Sequence, residues 1–483
     1  MMNTRAILNF VGMVLLFLSL FMTLPIFVSL LHNSPDLIPL IQSCAITLCS
    51  GISLFFLTRK NEKEDIRHRE AFLIVTLTWL LMSLCGSLPF LLSGTFSSFT
   101  DAYFESMAGF TTTGSSVLTD IEVMPKGILF WRSMTQWIGG MGIIVFALAV
   151  LPFLGTGGMQ LFKAEVPEIN IDKLRPRIID TAKALWIIYL AFTALNATLL
   201  YLAGMNVFDA LCHAFTTMAT GGFSTKNASI SGFQNPSIEY ITSFFMFTAG
   251  VNYSLYFYFF KGAYSRLWKS GEFRFYVAMT IIATTVIMFN IWRSSYHSLI
   301  DSFRYSLFQV TSIMTTTGYA TADYERWAPL AQVVLIILMF FGGMIGSTGG
   351  GIKQVRILLT IKQGYREIYQ LIHPRAITTV KLDNKFLNKE ILGSIWGMVF
   401  LFLGVCTVAI IGMAATGEDI VTSTTTVISA MCNVGPALGS AGPGDNYAGI
   451  PITGKWILIF CMLTGRLEVY TVLILFVPHF WKK

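Results

Sequence analysis

Long apolar stretches separated by short polar connections dominate the pattern along this chain of 483 residues. Each stretch approaches the length of about 20 residues that a helix needs to cross a bilayer. The first exceeds the apolar core of a signal peptide and no A-x-A-like site follows it, so we expect a retained helix. The predicted spans are residues 7–31, 37–58, 71–95, 128–154, 184–205, 238–260, 275–292, 329–345, 391–415 and 456–481.

A motif of aspartate, short semi-apolar helix and glycine recurs four times between these spans. Its copies are "DAYFESMAGFTTTGSS" (101–116), "DALCHAFTTMATGGFS" (209–224), "DSFRYSLFQVTSIMTTTGYA" (301–320) and "DIVTSTTTVISAMCNVGPA" (419–437). Each insert is too short to cross the membrane and too apolar for a free loop. We therefore expect re-entrant segments, which are tolerated only where the backbone lines a watery cavity.

The repeat predicts how the chain is organised. The expected fold is an all-α polytopic membrane protein with four pseudo-repeated units of span, pore helix, filter loop and span around one pore, plus two extra N-terminal transmembrane helices. The predicted segments are the N-terminal helices (1–69), pore repeats 1 to 3 (70–165, 166–270 and 271–360), a cytoplasmic connection (361–389) and pore repeat 4 (390–483).

The chemistry of the repeated motif favours a cation. The aspartates Asp101, Asp209, Asp301 and Asp419 are predicted N-caps, so the helix C-termini, which carry partial negative charge, point inward. A glycine then follows a β-branched residue in each copy, which allows backbone carbonyls to face the axis. A single Thr-Gly loop is ordinarily just a connection, but four copies favour a selectivity filter. The predicted filter residues are Thr112, Thr113, Gly114, Ala219, Thr220, Gly221, Thr316, Thr317, Gly318, Asn433, Val434 and Gly435.

Two features near the end of the chain are candidates for gating. Six glycines in "GGMIGSTGGGIK" (342–353) cannot hold a straight helix at about 1 kcal/mol each, although tight helix packing is the alternative. We predict a flexible loop below the filter, with Gly346, Ser347, Thr348, Gly349, Gly350 and Gly351 as its residues. Arg466 lies within the last span, where an arginine usually faces a cavity or a partner. It either bonds a neighbouring carbonyl or places its charge in the pore.

Composition and charge support this class of protein. Only 12% of residues are charged, against about 25% in soluble proteins. The net charge is +7, and 25 of the 33 Lys and Arg residues lie near the termini or in alternate connections (59–69, 163–183, 261–274 and 353–389). The positive-inside rule places these segments and both termini in the cytoplasm. No basic block is interleaved with aromatics, so we expect no nucleic-acid binding. Neither the Cys nor the His residues show metal-ligand spacing.

The sequence as a whole resembles the TrkH/TrkG/KtrB superfamily of potassium transporters, and the TrkH branch in particular. "FTTTGSS", "MATGGFS", "MTTTGYA" and "CNVGPALG" are similar to its four degenerate filter sequences. "SMTQWIGGMGIIV" (133–145), "GGMIGSTGGGIK" and "TGRLEVYTVLILF" (464–476) resemble its other signature stretches. The two extra N-terminal spans favour the Trk branch over Ktr.

The resemblance implies potassium uptake across the bacterial inner membrane, with potassium as the substrate bound by the filter. It also implies a homodimer among membrane lipids, with one pore per subunit and a cytosolic ring of TrkA-like nucleotide-binding regulatory subunits. The family's intramembrane gating loop and matching arginine correspond to 346–351 and Arg466. No nucleotide site is expected on this chain, since Ile352 and Gln354 break the phosphate-loop pattern around Lys353. The basic residues of the connection 353–389 either form the best surface for docking the regulatory ring or serve only to set the membrane topology.

Other functions must be weighed against this interpretation. A membrane enzyme would need acid–base or nucleophilic groups together within the spans. The chain has no G-x-S-x-G, no H-E-x-x-H and no paired intramembrane Asp, so we expect no enzyme. A proton- or sodium-coupled symporter, or a Ktr-type sodium-dependent potassium transporter, stays open. Coupling would require carboxylates on the ion path, and Glu105 and Glu468 are the candidates.

Overall fold

The structure is a computed structural model that describes residues 3–58, 68–149, 174–376, 378–383 and 385–482. Within these ranges it is nearly all helical, which confirms the predicted fold class. The basic connections at 59–69 and 163–183, and the end of the predicted span 128–154, lie partly outside the described residues. A small antiparallel hairpin, which the sequence did not predict, joins β1 (Lys381–Leu382) to β2 (Lys385–Phe386).

The helices follow one another with short connections. They are α1 (Thr4–Leu31), α2 (Leu37–Thr58), α3 (His68–Leu92), α4 (Phe99–Phe110), α5 (Lys126–Ala149), α6 (Leu174–Leu202), α7 (Val207–Met218), α8 (Pro236–Ala249), α9 (Tyr253–Phe260), α10 (Ser265–Lys269), α11 (Gly271–Ile291), α12 (Leu299–Met314), α13 (Pro329–Phe340), α14 (Gln354–Ile372), α15 (Lys389–Ala414), α16 (Ile420–Cys432), α17 (Ile452–Arg466), α18 (Val469–Leu473) and α19 (Pro478–Trp481).

Fewer helices are long enough to span a bilayer than the ten stretches predict. Within the described residues, six helices (α1, α2, α3, α6, α11 and α15) are long and apolar enough, or seven if the bent pair that begins with α17 is one span. Three predicted spans are interrupted in the structure. The stretch 238–260 breaks where Asn252 caps α9, 329–345 stops being helical at Phe340, and 456–481 bends by 117° after Arg466.

The four short helices α4, α7, α12 and α16 lie at the centre of the packing. Each contacts the span that precedes it in the chain, and each also contacts the second span of the preceding unit. Thus α5 packs on α7, α8 on α12, α13 on α16, and α17 returns to α4. The contacts therefore close into a ring. Helices α1 and α2 pack on each other and against α3, outside this ring.

The short helices are buried although they are rich in serine and threonine. Nearly every residue of α4 and α16 is shielded from solvent. Hydroxyl groups in such positions bond to carbonyls one turn back, as Thr426 does to Thr422 at 2.6 Å and Thr311 does to Leu307 at 2.8 Å. Many of the polar side chains are thus hydrogen-bonded inside the protein, although the hydroxyls of Ser306 and Ser429 find no partner among the described residues.

Candidate functional site

The four short helices end in the same backbone geometry. In each, a left-handed residue follows the helix, with φ between 53° and 61°: Thr112, Thr220, Thr316 and Asn433. The amide of the next residue bonds the carbonyl five residues back, at 2.8–2.9 Å: Thr113 to Ala108, Gly221 to Thr216, Thr317 to Ser312 and Val434 to Ser429. This is a Schellman ending. Threonine is β-branched and rarely adopts positive φ, at a cost of about 1–3 kcal/mol each.

The second loop is offset by one residue from the sequence alignment, which equated Gly221 with the glycines of the other loops. The glycine with positive φ here is Gly222, at 78°. It lies two residues after the left-handed Thr220, the same spacing as in the other three loops. Ala219 therefore corresponds to Thr111, the last residue before the loop. Two adjacent glycines in "ATGGF" concealed this register from sequence comparison.

The four loops lie against one another in chain order. A side chain on any of the positive-φ glycines would collide with a main-chain oxygen of the next loop. The collisions are Gly114 with the oxygen of Gly221, Gly222 with that of Thr317, Gly318 with that of Val434, and Gly435 with that of Thr113. The fourth loop thus contacts the first, and equivalent carbonyl groups from all four loops meet in one ring. Glycine is required at these positions by both backbone angle and space.

The predicted N-caps need correction in three of the four short helices. Asp419 does cap α16, accepting from the amides of Val421 and Thr422. In α4, α7 and α12 the capping position is instead Ser98, Asn206 or Ser298. The corresponding aspartates Asp101, Asp209 and Asp301 lie three residues further on, in the first turn.

A first-turn carboxylate still interacts favourably with the positive end of the helix. Asp209 also accepts from the Asn206 side chain at 2.7 Å, and Asp101 accepts from Lys455 at 2.6 Å. In these three helices the sequence reasoning identified the right turn but overlooked the serine or asparagine three positions before the aspartate.

The glycine-rich segment interrupts the third unit's second span. Helix α13 ends at Phe340 and α14 begins at Gln354, so residues 341–353 form a loop whose two ends are joined by a bond from Gly342 to Ile352 at 3.0 Å. The sequence predicted this interruption, although the loop starts earlier than 346. It reaches the third of the four loops directly, because the Gly350 amide donates to the Thr316 hydroxyl at 2.6 Å.

The hydroxyls in this loop are engaged with neighbouring carbonyls. Ser347 bonds the Met344 carbonyl at 2.6 Å. Thr348 is fully buried and donates towards the carbonyls of Met218 and Ala249, at 3.0 and 3.3 Å. Below the loop, the buried Glu272 carboxylate accepts from the amides of Ile345 and Val355 at 3.0 and 3.1 Å. Sequence inspection did not single out Glu272, since an acidic residue at a helix start is commonplace.

Arg466 is the last residue of α17 and is 3% exposed. Its Nη1 donates to the Thr348 carbonyl at 2.7 Å and its Nη2 to the Gly139 carbonyl at 3.2 Å. Among the ion pairs of the described residues, none involves Arg466. The guanidinium therefore ties the glycine-rich loop to α5 through main-chain oxygens. Glu468 lies two residues after Arg466 and binds Arg356 at 2.6 Å.

Three further side chains hold the four loops. Sequence reasoning missed Gln136 and Arg132, and it named Glu105 only as a candidate for ion coupling. Gln136 donates to the Gly221 carbonyl at 2.6 Å and accepts from the Phe223 amide at 3.0 Å. Glu105 and Arg132 form a buried ion pair at 2.6 Å. Gln136 and Arg132 lie one helical turn apart in α5, within or beside the stretch "SMTQWIGGMGIIV". That spacing was the available signal, since i and i+4 share a helix face.

No arrangement for resident metal chemistry is present in the residues that the structure covers. Within those ranges, no group of three or more His, Cys, Asp or Glu side chains could hold a metal ion. The groups that meet at the ring are main-chain carbonyls. Oxygen groups of this kind suit a hard, dehydrated cation in transit.

Comparisons with known proteins agree with this architecture. The sequence profile of the TrkH family, described as cation transport protein, matches residues 39–483. The Trk system potassium uptake protein TrkH of Escherichia coli K12 is 42% identical over the full length of both chains. The protein of the same description from Salmonella typhimurium is 41% identical, again over both full lengths.

The fold of a solved relative agrees as well. The crystal structure of the potassium transporter TrkH from Vibrio parahaemolyticus superposes with a TM-score of 0.92, at 38% identity and full coverage of both chains. This family consists of transport proteins rather than enzymes. The ring of four loops, the interrupted span and the full-length similarity lead to one conclusion: the chain belongs to the TrkH family of cation transport proteins.

Proposed function

We propose that this protein takes up potassium through one pore enclosed by its single chain, with the four glycine loops as the selectivity filter. The observation that carries the proposal is the closed ring, in which equivalent carbonyls at positions 113, 221, 317 and 434 meet. The C-termini of four short helices end at this ring and contribute partial negative charge. Such a site replaces the water around a cation with protein oxygens. The names of the relatives support potassium as that cation.

The test is ion flux through the purified chain in liposomes under bi-ionic conditions. We expect a potassium conductance and a reversal potential that favours potassium over sodium. Gly318→Ala is the matched loss-of-function variant, because its side chain would overlap the Val434 carbonyl. Gly364→Ala is the control, because nothing lies within 4 Å of an added side chain there. Flux that is unaffected by Gly318→Ala would contradict a filter at this ring.

We propose that residues 341–353 form the gate, held closed by Arg466. The loop contacts the filter residue Thr316 from one side and receives the Arg466 hydrogen bond at Thr348 from another. Glycines leave its backbone free to move once such bonds are released. Deleting or stiffening 346–351 should change conduction and its regulation; unchanged conduction would show that the segment is only a packing element.

Transport coupled to a second ion is the competing function. The contacts of its two candidate carboxylates argue against this role. Glu105 is paired with Arg132 and Glu468 with Arg356, each at 2.6 Å. Neither is a free carboxylate beside the ring, which favours passive movement of potassium over proton or sodium symport. Flux measured with and without an imposed pH or sodium gradient tests this. A potassium flux that vanishes without the gradient would favour symport.

We further propose the assembly that the family resemblance implies: a homodimer in the bacterial inner membrane, with cytoplasmic termini and a regulatory nucleotide-binding ring. Helix α14 offers a docking surface for the regulatory subunits. One of its faces is apolar and 55–71% exposed, and it consists of Ile361, Tyr365, Ile368 and Ile372. Ile368→Glu should abolish co-purification of the regulatory subunits with this chain, whereas Gln370→Glu should not. Retained binding in Ile368→Glu would exclude this face.

A further inference from the structure

One position in the four short helices carries a different side chain in each repeat. Seven residues before the left-handed residue stand Glu105, His213, Gln309 and Thr426. The first three face the chain that leaves their own filter loop. Glu105 accepts from the Ser116 hydroxyl at 2.9 Å, His213 Nε2 lies 2.9 Å from the Ser224 hydroxyl, and Gln309 Nε2 lies 3.5 Å from the Thr321 hydroxyl. In these three repeats the side chain at this position therefore anchors the outgoing limb, which is the segment that follows the filter loop.

The first repeat differs from the others because its anchor is an ion pair. Glu105 is completely buried and Arg132 is 2% exposed. Besides the Ser116 hydroxyl, the carboxylate accepts from the Val117 amide at 2.9 Å and from Arg132 Nε at 2.6 Å. Both carboxylate oxygens are used, which a neutral amide side chain cannot reproduce, since its nitrogen only donates.

Arg132 extends this anchor to the second filter loop. Its Nη1 donates to the Ser224 carbonyl at 2.9 Å, and its guanidinium lies 3.6 Å from the centre of the Phe223 ring. Ser224 and Ser116 are equivalent, since each lies two residues after the positive-φ glycine of its loop. One guanidinium thus joins the outgoing limbs of two adjacent loops, directly in the second and through Glu105 in the first.

We propose that Glu105 and Arg132 are positioning residues that determine potassium selectivity by fixing the spacing between the first and second filter loops. The inference rests on the proposed function of the ring. Neither side chain touches the ion; they act through Ser116, Val117 and Ser224. Breaking a buried ion pair leaves an uncompensated charge, so the surrounding loops must rearrange. The carbonyl ring then loses its fixed diameter, which lowers discrimination between potassium and sodium.

The experiment measures the potassium-to-sodium permeability ratio from reversal potentials, which do not depend on the amount of active protein. The variants are Glu105→Gln and Arg132→Lys in the full-length chain. The control is Glu122→Gln, whose exposed pair with Lys226 also links the first two repeats but lies at the surface. We expect the ratio to fall about tenfold in both test variants, consistent with the loss of one charge-assisted hydrogen bond. The control should match wild type.

A double variant covers the case in which the single variants fail to fold. Glu105→Gln combined with Arg132→Met removes both charges together and leaves neither unpaired, which is commonly tolerated. Its permeability ratio should also be low. A wild-type ratio in the double variant, or a lowered melting temperature with an unchanged ratio in the single variants, would overturn the proposal. If wild type itself shows no potassium preference, it is the proposed function that fails, a result distinct from either of these.

Discussion

Removing the Arg466 side chain should open the proposed gate. The guanidinium makes one hydrogen bond to the glycine-rich loop, at 2.7 Å to the Thr348 carbonyl. Its second bond goes to Gly139 in α5 and is independent of the loop position. A charge-assisted hydrogen bond contributes about 1.5–3 kcal/mol, and about 1.4 kcal/mol corresponds to a factor of ten. Arg466→Ala should therefore raise the open probability by about 10- to 100-fold.

Single-channel recording of the purified chain in planar bilayers separates two ways in which Arg466 can act. If the side chain holds the loop, Arg466→Ala raises open probability and leaves the conductance of one open pore unchanged. If its charge repels ions in the open pore, unit conductance rises instead. Arg466→Lys keeps the charge but lacks the planar fork of donors, so it should give an intermediate open probability.

The refuting result is equally specific. A flux through Arg466→Ala at or below that of wild type, with normal yield and melting temperature, would show that the hydrogen bond to Thr348 does not hold the gate closed. Lost yield would not count as refutation, and Arg466→Gln then replaces alanine, since it fills more of the space.

Three further predictions follow from the same geometry. Gly222→Ala should abolish flux because its side chain meets a main-chain oxygen, whereas Gly221→Ala meets the side chain of Gln136 and should retain partial flux; equal flux in the two variants would contradict the corrected register. Thr316→Val should raise open probability by releasing the Gly350 amide, whereas Thr112→Val, at the equivalent position with no such bond, should not. Glu272→Met should increase hydrogen exchange in residues 341–355, because one carboxylate oxygen accepts from two amides there and methionine offers no oxygen in its place; unchanged exchange would exclude this role.

The sequence was sufficient to predict features that repeat along the chain or that depend only on neighbouring residues. The six long apolar helices, the four short helices and the glycine-rich interruption follow from apolar length and glycine content, whereas the breaks inside 238–260 and 456–481 do not. The register of the second loop did not follow, because Gly221 and Gly222 are indistinguishable until the backbone angles are known. The true N-caps were missed because Ser98, Asn206 and Ser298 stand in a short polar turn beside a more conspicuous aspartate.

Long-range partners were the least predictable part of the site. Arg132 and Glu105 lie 27 residues apart and Arg466 lies 118 residues from Thr348, so no local pattern links them. The packing of α4 on α5 brings the first pair together, and the second pair meets where the glycine-rich loop reaches the end of α17. The bends at Asn252 and Glu468 were likewise hidden, since each lies inside a stretch that is apolar over most of its length.

The four unlike side chains behind the proposed filter show what a single polypeptide can do that four identical subunits cannot. In a symmetric assembly of one gene product, any substitution is copied into every quadrant at once. Here Glu105, His213, Gln309 and Thr426 can each be altered alone, so mutation changes one quarter of the pore wall while three stay intact. Evolution can therefore adjust ion preference in small increments, with each quadrant free to diverge.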